Sequence, residues 1–124
     1  MTITASQDEI VQVLTSLKVN APGVKSVALT TLEGRNLGST VAEADPRFKL
    51  ASLSAAAIAI AKKTSGELSL GGLEQVHVLS SAGSLLLGAV GTKALLSVVT
   101  TSSADFGQVS REMKRISAQL MMMV

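Results

Sequence analysis

His77 is the residue best suited by type to acid–base chemistry, and it lies in the apolar run Val76-His77-Val78. A histidine that acts as a general base needs a nucleophile or a carboxylate within hydrogen-bonding reach. No such residue stands at a recognisable spacing from His77. The sequence therefore favours an imidazole at a strand interface over a catalytic base. A pH-dependent contact between two copies of that strand is a third possibility.

The other side chains capable of chemistry do not form a recognisable site. Cysteine is absent and the nine acidic residues are scattered, which excludes thiolate metal sites and disfavours carboxylate ones. Gly66 and Gly71-Gly72 lack the Gly-Lys-Ser/Thr ending of a phosphate loop. Ser80-Ser81 and Ser102-Ser103 lack the glycines that flank a nucleophilic serine. We therefore expect no enzyme activity, no cofactor and no metal.

The composition of the 124-residue chain indicates one domain, 1–124, with a core of about residues 6–120. Hydrophobic residues make up 47% of the chain and aromatic residues only 2%. A monomer with a mean hydropathy of +0.44 would expose much apolar surface, so an interface with another protein is favoured. The alternative is a monomer with an aliphatic, alanine-rich core.

The charge balance does not favour nucleic acid as a partner. The net charge is +2, and no tryptophan or tyrosine is present to stack on bases. Arg111, Lys114 and Arg115 are expected on one side of the last helix. A solvated polar face is the favoured interpretation of this group, and a docking patch for an acidic partner is the alternative.

The sequence predicts a cytoplasmic protein that does not insert into membranes. Its N-terminus lacks the basic and apolar regions of a signal peptide. No apolar run approaches the roughly 18 residues that span a bilayer. The absence of cysteine is compatible with a reducing compartment.

Apolar periodicity and capping residues predict a helix at each end of the chain. Ser6 and Glu9 form a capping box before the first helix, which carries the stripe Ile10, Val13, Leu14 and Leu17. Asp105 caps the last helix, whose stripe is Phe106, Val109, Met113, Ile116 and Leu120.

Between these helices, β-branched runs separated by turn residues predict strands at 24–32 and 37–41, and then at 73–79, 84–90 and 93–101. The element order is then α-β-β-α-β-β-β-α. Such an order predicts an α+β fold, a five-stranded antiparallel sheet with two helices on one face and the middle helix on the other.

The middle helix, predicted at residues 45–66, is capped by Asp45 with Pro46 at its first position and stopped by Gly66. It carries two apolar stripes about a third of the circumference apart. We expect the larger one to lie on the sheet: Leu50, Leu53, Ala57, Ile60 and Ala61. The second stripe, Ala51, Ala55 and Ile58, then remains free for the same helix of a second copy.

Four segments resemble the roadblock family of dynein light-chain-related proteins and MglB-like regulators of small GTPases. They are residues 22–34, which open with Pro22-Gly23-Val24, residues 73–78 and 84–91, and the capped helix start at residues 104–107. With the element order they cover most of the chain. The resemblance implies a roadblock fold of profilin-like type.

The resemblance also implies a dimer in which the middle helices lie side by side and the strand at 73–79 pairs with its twin. An unpaired strand edge independently favours such pairing. The expected dimer interface comprises Ala51, Ser54, Ala55, Ile58, Lys62, Gln75, Val76, His77, Val78 and Leu79.

As a partner the resemblance implies a Ras-like small GTPase or another protein. An arginine that contacts a GTPase could neutralise charge on its phosphates. Arg35 and Arg47 are the candidates by position, and ordinary surface arginines are the alternative. The alternative function is a ligand-sensing module, or a scaffold of a motor or signalling complex, without GTPase regulation.

Overall fold

The computed structural model describes residues 7–41 and 50–124, with three helices and five strands in this part of the chain. The elements are α1 (Gln7–Asn20), β1 (Val24–Thr31), β2 (Asn36–Ser39), α2 (Leu50–Glu67), β3 (Gln75–Ser80), β4 (Gly83–Val90), β5 (Ala94–Thr100) and α3 (Phe106–Met121). The predicted element order is confirmed. The predicted caps at Ser6 and at Asp45-Pro46 lie outside the described residues.

The strands form one sheet in the order β2-β1-β5-β4-β3, and every neighbouring pair is antiparallel. The register places Ala28 of β1 opposite Ser97 of β5, and Leu87 of β4 opposite the same serine. The three most apolar strands, β1, β5 and β4, therefore lie in the middle of the sheet. β2 and β3 are the edge strands.

Helices α1 and α3 cover one face of the sheet, as predicted. The apolar stripes of both helices are buried there against alternate residues of the central strands, including Leu29, Leu86 and Leu96. The carboxylate of Asp105 accepts a hydrogen bond from the Gln108 N–H at 3.0 Å, which confirms the predicted cap of α3.

Helix α2 covers the opposite face, but with the stripe that the sequence predicted to be free. Ile58 is only 3% exposed and contacts Leu87 and Leu95 of the sheet, and Ser54 and Ala55 are buried beside it. Leu53 and Ile60 are each 69% exposed. The prediction that Leu53 and Ile60 face the sheet is therefore wrong. The side chains of Leu50 and Ala51 fall outside the description.

The composition of the sheet under α2 explains this orientation. Ser26, Ala28 and Ser97 share the face that α2 covers, because side chains alternate along strands and opposite partners share a face. A helix can pack close to such small residues only if the side chains that it places against the sheet are also small. Ser54 and Ala55 meet this requirement better than Leu53 does.

The end of α2 also differs from the prediction. The helix continues through Gly66 to Glu67, and the left-handed residue that ends it is Ser69, with φ of 54°. The N–H of Leu70 donates to the carbonyl of Ser65 at 2.9 Å, and the Ser69 N–H donates to the Gly66 carbonyl at 3.2 Å. This is a Schellman ending, which usually has glycine at the left-handed position. A serine there hides the signal in the sequence.

Candidate functional site

The most exposed apolar surface of α2 points away from the sheet. Its residues are Leu53, Ala56 and Ile60, which we call the outer face of α2. At about 100° per residue, Leu53 and Ile60 are turned by about 140–160° from the buried Ile58. With the exposed Ala56 between them, Leu53 and Ile60 form an apolar strip that a second protein could cover.

The second exposed feature is the free edge of β3. Within the described part of the chain, β3 pairs with β4 on one side only. Leu79 is 67% exposed and Val78 is exposed on the opposite face of the strand. An edge strand presents a row of unpaired N–H and C=O groups that another strand can use. Val78 shares the sheet face that carries α2.

The structure divides the predicted dimer-interface residues into two groups. The β3 residues Gln75, Val76, His77, Val78 and Leu79 lie along the free edge, and Lys62 is exposed on α2. By contrast, Ser54, Ala55 and Ile58 of α2 are buried against the sheet of the same copy. The prediction that they are free for a second helix is therefore wrong. Sequence reasoning missed Leu53 and Ile60 as exposed residues because either stripe could have faced the sheet.

His77 contacts an amide and an aromatic ring rather than a carboxylate. Its Nε2 donates to Gln75 Oε1 at 2.8 Å, and its ring stacks on Phe106 with centroids 5.8 Å apart. The Ser110 hydroxyl donates to the same Gln75 oxygen at 3.1 Å. These contacts tie β3 to the first turns of α3. Among the described residues they supply none of the partners that a general base requires.

Arg35 lies at the tip of the β1–β2 turn. Gly34, with φ of 94°, allows the turn, and the Arg35 N–H donates to Thr31 Oγ1 at 3.0 Å. The Arg35 side chain borders a cavity of about 470 Å³ that Lys93 of the β4–β5 turn also lines. Arg47, the second arginine candidate, lies outside the described residues.

A larger groove of about 630 Å³ lies between α3 and the β3–β4 edge of the sheet. Its floor includes Gly88, where an added Cβ would lie 3.3 Å from Met113 Cε. Gln75 and Lys114 stand on its two sides. The sequence did not predict this groove because it depends on how far α3 stands from β3.

The predicted basic group on α3 is split between two sides of the helix. Arg115 pairs with Glu112 at 2.8 Å and also donates to Ser16 of α1, whereas Lys114 lines the groove. The hydrogen bond from Arg115 is the largest cause of the lowered pKa of Glu112, ahead of the attraction between their charges. Only part of the group therefore remains available to an acidic partner.

Two further properties concern only residues 7–41 and 50–124. In those ranges, three or more histidine, cysteine or acidic side chains do not come together in a way that could hold a metal ion. In the same ranges, no helix combines the length and the apolar character needed to cross a membrane.

The roadblock/LC7 domain model matches residues 10–100 of this chain. No curated protein sequence matches this chain. The solved structures with a similar fold include two MglB proteins and a roadblock/LC7 domain. Myxococcus xanthus MglB is 23% identical, with a TM-score of 0.82 and coverage of 92% of this chain and 93% of that one.

The gliding protein MglB from Thermus thermophilus is 20% identical, with a TM-score of 0.83 and coverage of 98% and 95%. A roadblock/LC7 domain from Streptomyces avermitilis is 18% identical, with a TM-score of 0.83 and coverage of 89% and 92%. At these identities the structures show a shared fold. The family match covers most of the chain, which therefore belongs to the roadblock/LC7 family.

Proposed function

We propose that this chain forms a homodimer that binds and modulates a Ras-like small GTPase. The observation that carries the proposal is the exposed outer face of α2 on the same side of the sheet as Val78 of the free β3 edge. Membership in the roadblock family and the fold shared with two MglB proteins support it.

In the proposed dimer, β3 pairs with its twin and the two α2 helices lie next to each other above the joined sheet. Leu53, Ala56 and Ile60 take the place at the helix seam that the sequence assigned to Ala51, Ala55 and Ile58. Burying one leucine or isoleucine side chain contributes about 1.5–3 kcal/mol, and two-fold symmetry makes each contact count twice. The β3 edge adds backbone hydrogen bonds.

A charged substitution on the outer face of α2 tests the dimer. Light scattering after size exclusion should give a dimer mass for the wild type at about 50 μM and a monomer mass for Ile60→Glu, since a buried unpaired carboxylate opposes association. Val19→Glu is the matched control, because Val19 is 73% exposed on α1 and lies away from both proposed contacts. It should remain a dimer.

A wild-type chain that is monomeric at that concentration would contradict the proposal. Amide NMR spectra of Ile60→Glu and of Leu53→Glu separate loss of association from loss of folding. Both positions are exposed on a helix, so we expect the two variants to keep the dispersed spectrum of the wild type.

The GTPase part is tested by calorimetry with a Ras-like GTPase encoded beside the gene for this chain. The GTPase is loaded either with GDP or with a non-hydrolysable GTP analogue. The dimer should bind one loaded form at least about tenfold more tightly than the other, a difference of about 1.4 kcal/mol. Equal binding to both forms would favour the scaffold alternative, in which nucleotide state has no effect.

A further inference from the structure

We propose that the groove between α3 and β3 binds an extended acidic segment of a partner protein. The groove opens on the α3 side of the sheet, away from the proposed α2 contact, and its β3 wall includes Gln75 and His77 of the edge that is proposed to pair with a second copy. The proposal does not rest on the GTPase or on the dimer, and it can fail without affecting either.

The length of the groove suits an extended peptide. Its lining residues on α3 run from Ser110 to Met121, which is about 16 Å at about 1.5 Å per residue. An extended chain covers that distance with about five residues. A volume of about 630 Å³ is within the range of sites that bind small ligands or short segments.

Several polar groups of the groove have unused hydrogen-bond donors, while Glu74 adds a carboxylate acceptor. Gln75 Oε1 accepts from both His77 and Ser110, so its acceptor is used and its amide NH₂ group remains. In the described part of the chain, the Lys114 ammonium and the Ser117 hydroxyl have no hydrogen-bond or ion-pair partner. Donors of this kind bind carboxylates and backbone carbonyls.

The apolar part of the groove favours small or aliphatic side chains at alternate positions of the segment. Met113 and Met121 line it together with Ala118 and Gly88. Methionine side chains adapt their shape to different apolar partners. An extended segment that alternates acidic and aliphatic residues therefore fits both the donors and the floor.

The charged groups of the lining favour an acidic side chain at the α3 side of the groove and oppose one at the β3 end. Arg115 on the neighbouring side of α3 is neutralised by Glu112, whereas Lys114 is not paired in the described residues. Glu74 lines the β3 end of the groove and would repel a carboxylate there. We therefore expect the acidic side chains of the segment to lie on the α3 side, next to Lys114.

Amide NMR of the full-length chain, titrated with a capped eight-residue peptide of alternating aspartate and leucine, tests the proposal. Saturable shifts should map to Gly88, Ser110 and Ser117. The same peptide with asparagine in place of aspartate should bind at least about fivefold more weakly at low salt, and added salt should reduce the difference. Lys114→Gln should weaken the aspartate peptide by about fivefold.

Lys18→Gln is the matched control, because Lys18 is an exposed lysine in the last turn of α1 and outside the groove. It should bind the peptide as the wild type does. Equal binding of the two peptides, equal losses in the two lysine variants, or shifts confined to α2 would each overturn the proposal. Absence of saturable shifts at millimolar peptide would overturn it as well.

Discussion

Four buried hydroxyl groups between α2 and the sheet are the least expected feature of the fold. They belong to Ser26, Thr30, Ser97 and Ser54, and none has a hydrogen-bond partner in the described structure. A buried polar group without a partner costs about 1–3 kcal/mol. The layer under α2 is therefore less stable than an apolar layer of the same shape would be.

Replacing one of these hydroxyls with an apolar group should stabilise the protein. Thr30→Val keeps the shape of a side chain that is fully buried and removes its unpaired oxygen. We expect the free energy of unfolding in urea to rise by about 1 kcal/mol.

Thr100→Val is the control for this experiment. Thr100 is equally buried, but its hydroxyl donates to the Thr101 carbonyl at 2.9 Å. The control should leave stability unchanged or lower it. A loss of stability in Thr30→Val would show that its hydroxyl has a partner in solution.

At the scale of elements, local sequence signals such as caps and turn residues explain the strands and helices. The C-terminal end of α2 is the exception. Capping by Asp105 begins α3, and Gly34 allows the turn before β2. The glycine expected to end α2 lies in a helical turn, and Ser69 takes the strained conformation instead.

Gly66→Ala tests this ending. In a helical turn, alanine is more stable than glycine by about 1 kcal/mol, and nothing lies within 4 Å of the added Cβ. We therefore expect a higher thermal midpoint for Gly66→Ala. Gly71→Ala is the control and should lower the midpoint, because Gly71 has φ of 88°. A lower midpoint for Gly66→Ala would mean that the helix ends before it.

At the scale of the whole molecule, the two faces of the sheet are unequal. The face covered by α1 and α3 holds the large apolar core, while in the described ranges the apolar cluster under α2 has three buried members, Ile58, Leu87 and Leu95. An element with few buried apolar contacts opens at a lower free energy than the rest. A second copy that covers α2 would raise that free energy.

Hydrogen exchange should show this difference and its dependence on the dimer. In the wild type we expect the amides of α2 to exchange faster than the central amides of α1 and α3. In Ile60→Glu the protection of α2 should fall further, with α1 and α3 unchanged, whereas Val19→Glu should match the wild type. Equal protection of all three helices in the monomeric variant would contradict the inference that α2 opens at a lower free energy than α1 and α3.

The sequence alone was enough to predict the order of the elements, the antiparallel sheet and the helices α1 and α3. These features depend on local periodicity, on turn residues such as Gly34 and on the cap at Asp105. The family resemblance came from the same local motifs and was confirmed. Local signals suffice where a helix has a single apolar stripe.

The tertiary structure decided which side of α2 meets the sheet, where α2 ends and how the groove beside α3 is formed. Helical periodicity says which residues share a face, but α2 has two apolar stripes. The choice between them depends on Ser26, Ala28 and Ser97, residues distant in sequence whose small size lets Ser54 and Ala55 pack closely. That complementarity exists only once the sheet has formed, and it leaves Leu53 and Ile60 exposed.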